Sequence, residues 1–451
     1  MRLATTASGM GRIFNEWGVR NNPQEGFYLD IWTWLYQTIN AANTIIQRAE
    51  NPDIDWTERQ KNEILAQARL FRAWAYRHLT YLWGDVPLNL EEASGESIRT
   101  DWERTPKAEV WAQMEDDLLF AEQYLPEIPS SPGRVSKAVA RHYLAELYLA
   151  MDRPAEAEEK AAAVINGGNY TLITERYGAK ASEPGVPFMD QFQDGNVNRD
   201  QGNTEALWVF QYQVDTPGGG QSIMRRYWVN RYYTIPGLQV SAEYGGRGIG
   251  RLGITSWALN LYEPQDDRGS DFAIRKFYLY NDPDRLPEGK ELGDTVYLSW
   301  EQESETNEYW PSTRKWDWVD PQDIDGARQY QNQPYLRLAE TYLLLAEAQM
   351  KQGKLAEAAE NINIVRRRSN ASEIGPDDVT LDFILDERSR ELVTEEHRRY
   401  TLIRTGTLLE RVKKYNPLAA PNIVERDTLF PIPQAVIDAN VDTPMPQNPG
   451  Y

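Results

Sequence analysis

The segment Glu58 to Trp83, ERQKNEILAQARLFRAWAYRHLTYLW, constrains the fold of this chain most. Its apolar residues fall at Ile64, Ala68, Phe71, Ala75, Leu79 and Leu82, in steps of four and three, which is the repeat of one helix face. Leu70, Trp74 and Tyr81 widen that stripe, so the helix must be covered on two sides. Gly84 and Pro87 then stop it, glycine by accepting a left-handed cap and proline by lacking an N–H.

A second pattern recurs along the chain. The stretch AELYLAMDRPAEAEEKAAAVI from Ala145 aligns with AEAQMKQGKLAEAAENINIVR from Ala346, matching Ala155-Glu156-Ala157 to Ala356-Glu357-Ala358. Each reads as a helix, a short turn and a second helix that opens on alanines. Small residues let paired helices approach closely, the logic of tetratricopeptide-like hairpins. The expected fold is therefore mainly α. Hairpins form a scaffold over 30–170 and again from 334, with a final long helix from Leu381 to about Val412.

Residues 171–333 break this pattern. Gly, Pro, Asn and Asp punctuate them, as in PGGG at Pro217 and NDPD at Asn281, and apolar runs such as ALWVFQYQV are short. Long loops with a few short strands and helices are expected. Seven of the fifteen tryptophans lie here, and ordered loops on a rigid scaffold are where binding residues collect. In STRKWDWVD, from Ser312, Trp316 and Trp318 are two residues apart, so in an extended segment they share a face. They are either core or a flat platform for a ligand.

Composition narrows the function. Hydrophobic content of 41% and charged content of 26% are those of a globular chain. A net charge of −20 disfavours nucleic acid, whose phosphates are bound through Lys and Arg. With no cysteine there is no disulfide, thiolate site or cysteine nucleophile. His78, His142 and His397 lie far apart in sequence within helical patterns, so no metal site is expected. No apolar run is long enough to span a membrane as a helix.

Catalytic motifs are absent too. Gly248, Gly250 and Gly253 satisfy G-x-G-x-x-G but follow no apolar strand and open no helix, which makes them a loop and not a dinucleotide site. Asp266-Asp267 and the Asp282/Asp284 pair read as turns or a casual calcium contact. No catalytic residue and no cofactor is expected.

Three segments together resemble the SusD/RagB family of Bacteroidetes nutrient-uptake lipoproteins. They are AQARLFRAWAYRHLTYLWGDVPL from Ala66, ILDERSRELVTEEHRRYTLIRTG from Ile384, and the terminus LFPIPQAVIDANVDTPMPQNPGY. INAANTIIQRA from Ile39 and YLRLAETYLLLAEA from Tyr335 support the match. The resemblance spans residues 30–451 and implies a single SusD-like domain: a scaffold over 30–170, a ligand-binding region over 171–333, and a hairpin, long helix and family tail over 334–451. Two departures stand out. Tyr400-Thr401 replaces the usual aromatic-Asp pair, and the signal peptide and lipobox cysteine of the family are absent, so Met1 is expected to fall within the mature protein.

The resemblance implies a lipid-anchored protein on the outer face of the outer membrane. It captures an oligosaccharide and closes as a lid on a SusC-like TonB-dependent transporter, with surface glycan-binding proteins or glycosidases as further partners. A peptide-binding component of the same complex is the second reading and a surface glycosidase the third. A sugar offers an apolar C–H face and a rim of hydroxyls, which flat aromatics and a few polar groups bind. Such an exposed site should hold it with about −4 to −7 kcal/mol. The candidate ligand residues are Trp17, Arg20 and Asn21 before the first long helix, and Trp228, Asn230, Arg231, Tyr232, Trp257, Trp310, Trp316 and Trp318 in the central region.

Overall fold

The computed structural model describes residues 2–3, 14–15, 17–18, 21–95, 99–299 and 307–451. Its longer helices are α1 (Gly26–Arg48), α2 (Glu58–Trp83), α3 (Lys107–Tyr124), α4 (Lys137–Ala150), α5 (Pro154–Ile165), α6 (Leu338–Lys351), α7 (Leu355–Arg368), α8 (Leu381–Glu391), α9 (Arg398–Arg404) and α10 (Leu408–Tyr415). The strands pair two at a time and antiparallel: β1 (Arg2–Leu3) with β3 (Leu252–Gly253), β2 (Ala206–Phe210) with β8 (Gln333–Arg337), β4 (Ile274–Arg275) with β7 (Ser312–Thr313), and β5 (Phe277–Leu279) with β6 (Thr295–Tyr297). The chain divides into two compact units. One comprises Arg12–Ser130, Val135–Val164 and His397–Tyr451, the other Met1–Gly11, Ser131–Arg134 and Ile165–Glu396. The boundaries expected at 171 and 334 differ from this division, because α6, α7 and α8 group with the irregular region.

In the first unit, α2 begins at a capping box in which Thr57 Oγ1 accepts from Gln60 N at 3.3 Å and Gln60 Oε1 accepts from Thr57 N at 3.0 Å. It ends at Gly84, whose φ of 76° suits a residue without Cβ. Between them its buried charges are paired. Arg72 donates to Asp117 of α3 at 2.8 and 2.7 Å and to Asn43 of α1 at 2.9 Å, and Arg77 grips Glu146 of α4 at 2.8 and 2.9 Å. His78 and His397, 319 positions apart, have rings 5.2 Å apart.

The family tail straps the end of α2. Trp83 Nε1 donates to Pro431 O at 2.8 Å, and Asn448 Nδ2 donates to Trp83 O at 3.0 Å and Phe430 O at 2.8 Å. Gln447 satisfies both backbone groups of Ile432, at 2.7 and 2.8 Å. The terminal Pro-Ile-Pro and Asn-Pro-Gly segments are therefore structural.

The sequence repeat is real in three dimensions. α4 and α6 are each 14 residues long, and each is followed by a left-handed residue, Asp152 (φ 55°) or Gly353 (φ 74°), before the second helix. The long helix expected from Leu381 is instead three helices, α8, α9 and α10, with left-handed residues at Thr394 and Gly406. Lys315 Nζ takes the carbonyls of Glu391 and Val393, each at 3.1 Å, and Arg337 Nη2 also takes that of Glu391, at 3.2 Å. Acceptors that would continue the helix are thus engaged elsewhere.

In the second unit α8 carries a buried charge lattice. Glu387 accepts from Arg268, Arg366 and Arg390, each at 2.7 Å. Glu391, one turn later, accepts from Arg337 at 2.9 Å, Arg268 at 3.2 Å and Arg368. Glu205 joins Arg337 and Arg368 at 2.6 and 2.9 Å, which ties the α6–α8 helices to β2.

Candidate functional site

The irregular part of the second unit is organised around Arg225. Its guanidinium is buried and donates to the carbonyls of Gly245 at 2.8 Å, Arg247 at 3.3 Å and Gly326, so one side chain ties its own segment to two loops. Burial lowers its pKa from the usual arginine value. Gly246 lies in this crossing with φ 68°, and a Cβ there would meet Ile324 O and Val319 Cγ2 at 2.6 Å.

Against this knot packs a tyrosine floor. Tyr232 stacks on Tyr278 with centroids 4.7 Å apart, and Tyr244 meets them edge-on at 5.5 and 4.9 Å. The Arg275 guanidinium lies 5.3 Å from the ring centres of both Tyr244 and Tyr278. Burial pushes the Tyr232 phenol up to about 12. Burial pulls the Arg275 pKa down, but Asp317 and the neighbouring tyrosines more than offset it and leave it raised.

Tyr244, Arg275 and Tyr278 form the buried side of a cavity of about 170 Å³. Phe277, Leu279, Glu243, Asp271, Lys276 and Arg314 complete it. The β5–β6 hairpin sets the direction of its aromatics. Tyr278 pairs with Val296 on the core face, and Phe277 pairs with Tyr297 on the opposite face. Their rings are 6.3 Å apart, and Tyr297 is 69% exposed. The cavity thus has Phe277 in its lining, with Tyr297 packed against that ring, and fixed hydrogen-bonding groups in its wall.

The residues expected from the sequence are dispersed. Trp17 and Asn21 belong to the first unit and pack the tail: Arg399 lies 5.2 Å from the Trp17 ring, and Asn21 Nδ2 donates to Asp427 at 2.6 Å and Tyr451 at 3.0 Å. Arg20 lies outside the described residues. Four central residues are buried in the core. Tyr232 is the stacked floor, Trp228 and Trp310 are 4% and 1% exposed, and Asn230 spans Trp310 O at 3.0 Å and the Tyr278 hydroxyl at 2.6 Å. Their apolar area and backbone-satisfying amides hold the loops together.

Arg231, Trp257, Trp316 and Trp318 are half-buried. Trp316 and Trp318 do not form one platform. A turn at Lys315-Trp316 interrupts the extended alternation, and Trp316 Nε1 donates to Thr394 Oγ1 at 3.0 Å. Asp317 between them bridges Arg275 and Arg314 at the cavity, at 2.5 and 3.0 Å.

Phe277, Tyr297, Arg275 and Asp317 were missed because tryptophan density drew the sequence reading. The usable signal was the alternation in Phe277-Tyr278-Leu279 and Thr295-Val296-Tyr297, a hairpin with one wet face. Asp266 and Asp282 are turn acceptors, for Arg268 N at 3.0 Å and Asp284 N at 3.2 Å. Among the described residues no group of three His, Asp or Glu side chains is placed to hold a metal ion.

Comparison with known proteins accounts for this architecture. The SusD family model matches residues 299–451, and a SusD-like model described as "Starch-binding associating with outer membrane" matches residues 7–149. SusD-like protein P2 of Formosa agariphila is 28% identical over 94% of this chain and 81% of its own length. The starch-binding protein SusD of Bacteroides thetaiotaomicron is 25% identical over 93% of this chain and 78% of its own. The solved structure of a laminarin binding SusD-like protein superposes with a TM-score of 0.74 at 22% identity, covering all of this chain and 91% of the other. The chain belongs to the SusD family.

Proposed function

We propose that this protein captures oligosaccharides at the outer membrane surface and delivers them to a SusC-like TonB-dependent transporter, anchored there by lipid and without catalysing a reaction. The observation that carries the reading is the cavity lined by Phe277, Tyr244 and Tyr278 together with the charged groups of Arg275 and Arg314, with the exposed Tyr297 packed against Phe277. That combination suits a ring with an apolar face and a hydroxyl rim. Relatives whose names record starch or laminarin binding support the ligand class, and the family description supports association with the outer membrane. Among the described residues no helix is long and apolar enough to cross a membrane. Arg231, Trp257, Trp316 and Trp318 remain candidates for outer contacts with a longer chain of sugars.

Calorimetric titration against a panel of oligosaccharides and short peptides tests the proposal. Saturable heats with a saccharide, at roughly micromolar to millimolar affinity, are expected. Heats with peptides alone would replace glycan by peptide as cargo, and release of reducing sugar on incubation would make the protein an enzyme.

A further inference from the structure

Four arginines of the irregular region hold their partners loosely. Arg226 donates to Asp325 O at 3.4 Å, Arg247 stands 3.9 Å from the Asp325 carboxylate, and Arg251 donates to the Tyr227 hydroxyl at 3.4 Å. Arg231, half-buried, makes no side-chain hydrogen bond or ion pair among the described residues. A closed arginine–oxyanion pair spans about 2.7–2.9 Å, so these forks have donors to spare.

A glycine loop brings them together. Gly248, where a Cβ would run into Val229 O, and Gly250, where one would meet Asn307 O at 2.7 Å, let residues 247–251 lie directly against 226–230. Ile249 N donates to Arg226 O at 2.8 Å and Gly250 N to Val229 O at 2.9 Å. The G-x-G pattern therefore serves close approach. It sets Arg247 5.4 Å from the Tyr233 ring centre and Arg251 5.2 Å from that of Tyr227, and both tyrosines are half-buried.

Among the described residues the carboxylates tied to this surface are Asp325, Asp323, which acts on the Arg225 guanidinium, and Glu308, which accepts from Thr234 Oγ1 at 2.8 Å. Three carboxylates stand against these four arginines and the buried Arg225, so the surface is locally positive in a chain of net charge −20. A guanidinium fork matches the edge of a carboxylate or sulfate, and a tyrosine face matches the C–H side of a sugar. Resting on the glycan-binding reading, we infer that this face is a second glycan contact and that it takes an anionic sugar, with a uronate or sulfate group on the free donors of Arg226, Arg247 and Arg251 and the ring against Tyr227 or Tyr233. Asp325, with its side chain 63% exposed and at long range, is the counter-ion that such a group displaces.

The test is calorimetric titration of the chain with oligogalacturonate, a sulfated galactan oligomer, neutral gluco- and manno-oligosaccharides of equal length and an acidic peptide of equal charge, at about 0.02 and 0.3 M NaCl. An anionic oligomer should bind at least about tenfold more tightly than any neutral one at low salt, and lose at least about fivefold at high salt. Which of the two binds names the oxyanion. Arg226→Gln/Arg247→Gln should lower that affinity about tenfold with the thermal midpoint within about two degrees. Arg247→Gln alone, at an exposed position, serves if the pair unfolds. Asp325→Asn should raise the affinity about threefold. Neutral oligomers binding as tightly as anionic ones, the acidic peptide binding as tightly as the anionic oligomer, or anionic binding that neither arginine variant weakens overturns the inference and leaves the glycan reading standing. Heats with the peptide and none with any glycan overturn both.

Discussion

Glu391 is buried and accepts from Arg268, Arg337 and Arg368, three cations drawn from three separate parts of the chain. Burial alone would raise its pKa, but the arginines outweigh that and hold it far below the usual carboxylate range. Glu391→Ala leaves those cations buried and short of a partner, and should cost about 3–5 kcal/mol in chemical denaturation. An exposed change such as Glu243→Gln should stay within about 0.5 kcal/mol. The sequence reading matched Glu387, Glu391 and Glu396 to a family motif without seeing what they hold. Their partners lie up to 123 positions away in sequence, Arg268 to Glu391, and periodicity carries no information at that range. The burial of Tyr232 and Trp310 was not legible for a related reason. Whether an aromatic in a loop faces in or out depends on which loops cross over it, here those tied by Arg225.

At the scale of elements, α8 should make the second unit sensitive to acid. Glu387 and Glu391 are both held below the unfolded carboxylate value, and burial of Glu263 is outweighed by Ser372 and Arg366, which bring it to about 2. Because the folded pKa values are depressed, their stabilisation is present above about pH 4.3 and is lost as pH falls below it. Denaturant midpoints measured from pH 7 to pH 3 should therefore fall most steeply below about pH 4.3, and a flat profile would mean that these carboxylates are not ionised in the fold. The end of α2 offers a second test. Asn448→Ala strands the carbonyls of Trp83 and Phe430, and should cost about 1–3 kcal/mol on unfolding. Helix α2, its Gly84 stop and the paired hairpins were legible from spacing alone. The division of the expected long helix was not, since it depends on Lys315, in a turn, and Arg337, at the end of β8, capturing carbonyls at the end of α8.

Over the whole molecule, regular helical hairpins and an irregular, charge-knitted region perform different tasks. The hairpins bury large side chains along regular helix faces and pair the charges they bury, as Arg72 with Asp117 and Arg77 with Glu146. The irregular region uses buried arginines to satisfy loop carbonyls, and builds its cavity wall largely on the short strands β4 and β5. Fold class and family were readable from the sequence, whereas the cavity was not, because its wall combines Glu243, Arg275 and Arg314 from three separate segments. The most direct test removes its aromatic edge. Calorimetric titration of the Phe277→Ala/Tyr297→Ala variant with the oligosaccharide bound by the parent chain should show affinity reduced at least about tenfold, while the thermal midpoint moves by only a few degrees, since Tyr297 is 69% exposed. Undiminished binding by a folded variant would contradict the account and move the glycan site elsewhere in the molecule.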